Sequence, residues 1–165
     1  MVPSISLPMR LLLVEDDLDD CMFFRDALNE TGLNTTLQVA TKCTNIIELL
    51  GDNPGKLPHL IFLDLNMPFV SGHECLHHIR NVSYLNSIPV IIYSTSAIKQ
   101  EVDETFYGGA NLYLQKPSSF DLLVIALKNI LRLDWRNYVK ERNRTNFVFK
   151  HLDPPKVSEE KEMKT

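Results

Sequence analysis

The sequence predicts an α/β protein in which five short parallel strands alternate with five helices that cover both faces of the sheet. Three observations carry that expectation. Short, continuously apolar runs recur along the chain, amphipathic segments separate them, and four of the runs end at or beside a charged or hydroxyl residue. A short run that is apolar throughout suits a strand buried on both faces, and strand–helix alternation is the signature of a parallel sheet.

The elements follow in order. Residues 10–14 (RLLLV) read as the first strand and stop at Glu15-Asp16. Residues 17–30 read as a helix with Met22 and Leu28 in its apolar stripe, stopped by Gly32 and Asn34. Residues 36–40 form a second strand and 43–50 a second helix, closed by Gly51. Residues 60–63 (LIFL) are again a buried strand, ending at Asp64, and 72–80 are helical. Residues 90–93 form the fourth strand, 99–107 a helix ended by Gly108-Gly109, and 112–114 the last strand. Residues 120–131 form a strong amphipathic helix with Leu123, Leu127, Ile130 and Leu131 at helical spacing.

The bulk properties exclude several function classes. The 165 residues suit one domain of ordinary size with some extra length, and 44% apolar with 23% charged residues is a globular balance. A net charge of −4 offers no general attraction to nucleic acid or to an anionic membrane. Cys21, Cys43 and Cys75 are widely spaced and odd in number, so they read as small buried thiols in a reducing cytoplasm. No signal peptide is visible in residues 1–8, and no apolar stretch is long enough to span a bilayer. The expected organisation is an N-terminal extension (1–8), a domain (9–132), a helical and extended C-terminal extension (133–152) and a disordered charged tail (153–165). Residues 134–144 are expected to continue the last helix. Phe147 and Phe149 either pack back on the domain or belong to a self-association surface.

In open parallel sheets, ligands sit beyond the carboxyl ends of the strands. Glu15 and Asp16 follow the first strand, Asp64 the third, Ser94 the fourth and Lys116 the fifth. Clustered carboxylates repel one another unless a cation or a proton is taken up, and an all-oxygen donor set with few protein ligands suits Mg²⁺. Asp64 is the candidate nucleophile, because a carboxylate is already ionised near neutral pH and needs no general base. A metal and Lys116 would neutralise the phosphoryl oxygens, and the Ser94 hydroxyl would donate a hydrogen bond to them. Singly these residues are weak signals; together, each at a strand end, they are specific.

Val14-Glu15-Asp16-Asp17, Asp64-Leu65-Asn66-Met67-Pro68 with Gly72, Ser94-Thr95, Gly109-Ala110 and Lys116-Pro117 resemble the marks of the response-regulator receiver family of two-component signalling. The resemblance covers roughly residues 9 to 132. It implies a flavodoxin-like, doubly wound (βα)5 fold with strand order 2-1-3-4-5. It implies that Asp64 is the phosphoacceptor, and that Glu15 (through water), Asp16, Asp64 and the Asn66 backbone carbonyl hold Mg²⁺ or Mn²⁺. Ser94 and Lys116 would contact the phosphoryl group, Tyr113 would be the aromatic switch residue partnered with Ser94, and Lys116-Pro117 would be cis. The implied partners are a sensor histidine kinase or phosphotransfer protein, a downstream protein target and a second copy of the chain, with no nucleic acid and no membrane. The protein would be a cytoplasmic signalling protein rather than an enzyme. Thr95 stands where the family usually has Ala or Gly, which bears on access to Asp64. Nothing after Leu131 resembles an output domain, so the expected output is a protein–protein event around the fourth helix, fifth strand and fifth helix.

Two other readings of the motifs compete with this one. A receiver-like module that works without phosphorylation would not need Asp64, Ser94 and Lys116 together. His73-Glu74-Cys75-Leu76-His77 matches the H-E-x-x-H pattern of zinc hydrolases. It directly follows the phosphoacceptor loop, its helix needs Leu76 and Ile79 for the core, and no third ligand has the expected setting. Glu15 to Asp20 lacks the glycine and the late glutamate of a calcium loop. Asp19 and Asp20 are read instead as acids favouring a helix N-terminus.

Overall fold

The computed structural model describes residues 6–51 and 53–150. Five parallel strands, β1 (Met9–Val14), β2 (Thr35–Ala40), β3 (Leu60–Leu63), β4 (Val90–Ser94) and β5 (Leu112–Gln115), pair in the order β2-β1-β3-β4-β5. The helices between and after them are α1 (Leu18–Glu30), α2 (Asn45–Leu50), α3 (Gly72–Asn81), α4 (Lys99–Tyr107) and α5 (Phe120–Leu131). This is the flavodoxin-like arrangement, with helices on both faces of the sheet.

The unbroken apolar runs are sorted by the pleat. Alternate residues of a strand point to opposite faces, so Leu12, Val14, Ile61, Leu63, Val90, Ile92 and Tyr113 join one core with residues of α2, α3 and α4. Leu11, Leu13, Leu60, Phe62, Ile91, Tyr93, Leu112 and Leu114 join the other, beneath α1 and α5. A one-residue slip of any strand would exchange its two sets of side chains. The register is therefore held from both sides, with Val14 opposite Leu63, Leu63 opposite Ile92 and Ile92 opposite Tyr113.

Helix ends follow local chemistry. Asp17 caps α1 by accepting from the Asp20 amide, Ser71 and Glu74 form a reciprocal capping box on α3, and Ser119 caps α5. The buried face of α1 consists of Cys21, Phe24, Ala27 and Leu28, whereas Met22 is 64% exposed and so lies outside the stripe expected of it.

Two further expectations are corrected. The chain does not continue α5 through residues 134–144. It turns at Arg132–Leu133, and Asp134 caps a separate helix α6 (Trp135–Lys140), whose Trp135 indole donates to the Ile130 carbonyl at 3.1 Å. The cysteines are not all free thiols either. Cys43, just before α2, and Cys75, in α3, lie on the same face of the sheet with Cα atoms 5.6 Å apart and are joined by a disulfide. Thirty-two residues separate them in sequence, so only the packing of α2 beside α3 reveals the pair. Cys21 remains a free thiol, and burial pushes its pKa up to about 11, which keeps it unreactive. No helix among the described residues is long and apolar enough to cross a membrane. The tail expected over 153–165 lies outside the described residues.

Candidate acidic site at the strand ends

The sheet register brings the acidic residues together. The Glu15 amide bonds to the Ala40 carbonyl and the Asp64 amide to the Val14 carbonyl, which extends the ladder by one residue past each strand end. Both side chains are buried, Glu15 at 1% and Asp64 at 3% exposure. Carboxylate oxygens of Glu15, Asp16 and Asp64 lie within 4.8 Å of one another, the one such group among the described residues.

Lys116, entering from the end of β5, supplies the countercharge. Its ammonium lies 2.7 Å from Glu15 Oε2, 2.8 Å from Asp20 Oδ2 and 3.8 Å from Asp64 Oδ2, and sits over the Tyr93 ring. Two unit charges about 4 Å apart interact by roughly 4 kcal/mol at an effective dielectric of about 20. Three mutually close carboxylates make three such repulsions, more than one ammonium also engaged by Asp20 offsets. The pKa directions agree: burial raises Glu15 to about 7 against the pull of Lys116, and burial likewise raises Asp64. The donor set is entirely oxygen, hard and partly accessible through half-buried Asp16, which fits a small divalent cation.

Around Asp64 the loop is organised by short hydrogen bonds. The Asn66 amide donates to Asp64 Oδ1 at 3.2 Å, and the Asn66 side-chain amide reaches the fully buried Ser94 Oγ at 3.4 Å. The Ser96 amide also donates to Ser94 Oγ, while the Tyr113 hydroxyl donates to the Ser96 carbonyl at 2.6 Å. Tyr113 is thus wholly buried, its ring already turned inward. Exposed Thr95 lies beside these groups, its carbonyl accepting from Gln115.

The structure thus assembles Glu15, Asp16, Asp64, Asn66, Ser94 and Lys116 at one end of the sheet, with Tyr113 behind Ser94. Asp20 was read only as a helix-dipole acid, yet it reaches Lys116. The signal was its position in the first turn of α1, directly after a strand end, which directs it back over the site. Gly72 has a stronger constraint than its sequence context suggested. A Cβ there would collide with the Asp64 carbonyl and lie 2.5 Å from the Leu65 Cα, because the start of α3 packs directly on the β3–α3 loop. Lys116–Pro117 is trans, since no peptide bond among the described residues is cis. The two isomers of an X–Pro bond differ by only about 0.5–1 kcal/mol, so the dipeptide alone does not dictate the choice. Among the described residues, His73, Glu74 and His77 belong to no group that could hold a metal ion. Glu74 is committed to the α3 capping box, and His73 Nε2 lies 3.9 Å from Glu104.

Comparison with known proteins agrees with this geometry. The family model described as "Response regulator receiver domain" matches residues 11–128. The chain belongs to the response-regulator receiver family. A polar-differentiation response regulator, DivK, of Brucella anthropi is 29% identical over 125 residues, covering 76% of this chain and 98% of its own. The phosphorylated cyanobacterial phytochrome response regulator RcpA superposes with a TM-score of 0.66 at 27% identity, covering 74% of this chain and 91% of that one. A response regulator in red light signalling of R. palustris gives 0.67 at 25% identity over 75% and 91% of the two chains. The family is one of signalling proteins rather than classical enzymes.

Two outcomes follow for this receiver. Gly72→Ala is expected to push the β3–α3 loop away from α3 and cost about 1–3 kcal/mol, measurable by denaturant unfolding. For Glu15, a folded pKa of about 7 against an ordinary 4.5 means that the native state holds the proton more tightly between those values. Stability is therefore fully present below about pH 4.5 and falls as pH rises toward about 7. In chelator, the melting temperature is expected to drop across that range, and added Mg²⁺ to recover most of the loss at pH 7.5.

Proposed function

We propose that Asp64 accepts a phosphoryl group from a phosphohistidine donor on a sensor kinase or phosphotransfer protein. The reading rests above all on one observation: a buried carboxylate within 4.8 Å of two others, with an ammonium 3.8 Å away. An Asp64 oxygen attacks phosphorus, the P–O bond forms as the P–N bond breaks, and the electron pair leaves with the imidazole. A divalent cation held by Asp16, Asp64, the Asn66 carbonyl and, through water, Glu15 would neutralise the phosphoryl oxygens. Lys116 shares that charge once it turns from Asp20 toward the phosphoryl group, and the Ser94 hydroxyl donates to another phosphoryl oxygen. The acyl phosphate formed is open to hydrolysis, so the mark is reversible.

The mouth of the site also suits a protein donor. Leu18 (69% exposed) and Met22 lie in α1 just after the Glu15-Asp16 pair, and Phe69 (98% exposed) lies in the loop that follows Asp64. Phe69 has φ +69° in a tight turn in which the Val70 amide bonds to the Pro68 carbonyl. Such γ-turns are strained for a residue with a side chain. A fully exposed aromatic held at that cost beside the acceptor is a contact for an apolar helix face. The likeness to phytochrome and red-light regulators makes a light-sensing histidine kinase the first partner to test. The proposed partners act in the cytoplasm, and there the burial of Cys43 and Cys75 would shield their disulfide from soluble reductants.

Incubation with Mg²⁺ and acetyl phosphate is expected to add one phosphate, read by intact mass, and Asp64→Asn to abolish it. Lys116→Ala should keep the fold but slow labelling. An unlabelled wild type would favour a receiver-like module that works without phosphorylation. Phe69→Ser is expected to slow phosphotransfer from a histidine kinase by about tenfold, the scale of losing one interface anchor, while slowing acetyl phosphate labelling far less.

A further inference from the structure

Beyond α6, residues 142–149 run back across α4 and the free edge of β5, held by four kinds of contact. The Arg142 guanidinium donates to the carbonyls of Ala110 and Phe106 and lies 4.0 Å from the centroid of the Phe106 ring. The Arg144 guanidinium pairs with Asp103 of α4 at 2.7 Å. Phe147 is wholly buried against Phe106 and Tyr113, with ring centroids 5.2 and 6.1 Å away. The backbone then pairs with β5 as a short parallel strand: the Tyr113 amide donates to the Phe147 carbonyl and the Phe149 amide to the Tyr113 carbonyl, both at 2.8 Å. The Tyr138 hydroxyl of α6 bonds to the Asn146 carbonyl and fixes the turn that aims this segment.

The backbone pairing and the Phe147 ring meet at Tyr113, and a series of hydrogen bonds, joined only covalently within Ser96 and within Asn66, leads from there to Asp64. Tyr113 bonds to Ser96, Ser96 to Ser94, Ser94 to Asn66, and Asn66 to Asp64. The Phe147 ring packs edge-on against the inward Tyr113 ring, and the Ser96 amide of the β4–α4 loop holds the Ser94 hydroxyl beside the Asn66 side chain.

We propose that residues 142–149 are an intramolecular strap whose docking on the β5 edge is coupled to the chemical state of Asp64. The inference rests on Asp64 being the phosphoacceptor. A phosphoryl group that accepts the Ser94 hydroxyl favours the same inward arrangement of Ser94 and Tyr113 that the docked strap favours. Phosphorylation therefore tightens the strap, and a docked strap favours phosphorylation by the same factor, since coupling between two sites is reciprocal. The surface that changes with the signal is then the α4–β5 face together with its own covering segment, and the partner it admits or excludes competes with Phe147.

The test uses the full chain with Mg²⁺ and beryllium trifluoride, a non-covalent phosphoryl mimic, and reads backbone amide exchange residue by residue. In the wild type the mimic is expected to slow exchange at the Tyr113 and Phe149 amides by about five- to twentyfold, within the usual range of coupling. Arg144→Gln, which removes only the ion pair with Asp103, is expected to speed exchange at both amides and weaken binding of the mimic. Phe147→Ala should do both more strongly, and because it also opens the core, the surface variant keeps the comparison sound. Binding of the mimic with unchanged exchange at Tyr113 and Phe149 would overturn the strap and leave the acceptor role intact. No mimic binding and no acetyl phosphate adduct would overturn the acceptor role itself, and the coupling with it.

Discussion

The ammonium of Lys116 among the carboxylates of Glu15, Asp20 and Asp64 is the interaction on which the site depends. The parallel register forces Glu15 and Asp64 side by side by continuing the β1–β3 pairing one residue past Val14 and Leu63. Burial then takes them out of water, where like charges cannot be screened cheaply. An ammonium only 10% exposed, held by hydrogen bonds to two of the acids, is what lets the strand ends stay closed. The same charge imbalance that strains the site fits it to a divalent cation.

A second constraint is steric. The loop between β3 and α3 is pinned between Gly72, which admits no side chain, and the hydrogen bonds of Asn66. α3 can start this close to Asp64 only because its first residue lacks a Cβ. Its capping box then ties the loop to the helix through Ser71 and Glu74. Asp64 is thereby linked to α3 on one side and, through Asn66, Ser94 and Ser96, to Tyr113 on the other. Tyr113 is where that route meets the C-terminal segment, which gives β5 a partner on an edge that would otherwise present unpaired backbone groups.

Most of the sheet and nearly all of the site were legible in the chain. Uninterrupted apolar runs such as Leu11 to Val14, short and bounded by polar residues, suit strands buried on both faces, and the acids that end them mark the strand termini. The boundaries differ by a residue or two, which is where hydrogen bonding rather than composition decides. Met22 shows where periodicity fails: near the N-terminus of a helix, its direction depends on how α1 tilts over the sheet. Asp20 was visible as an acid but not as a partner of Lys116, because those residues meet only when the first and last strands of the chain are brought into one sheet.

The sequence alone determined the alternation of elements, the acidic, hydroxyl and basic residues at the strand ends, and hence the family and the kind of chemistry. These are local properties: apolar runs, caps and the residue that follows each strand. Only the tertiary structure decided that Cys43 and Cys75 meet, that Lys116–Pro117 is trans, that the chain breaks at Asp134 into α6, and that Phe147 closes over Tyr113. Each of those depends on the approach of segments distant in sequence, where the energy comes from burial and pairing across the fold and leaves no periodic trace in the residues themselves.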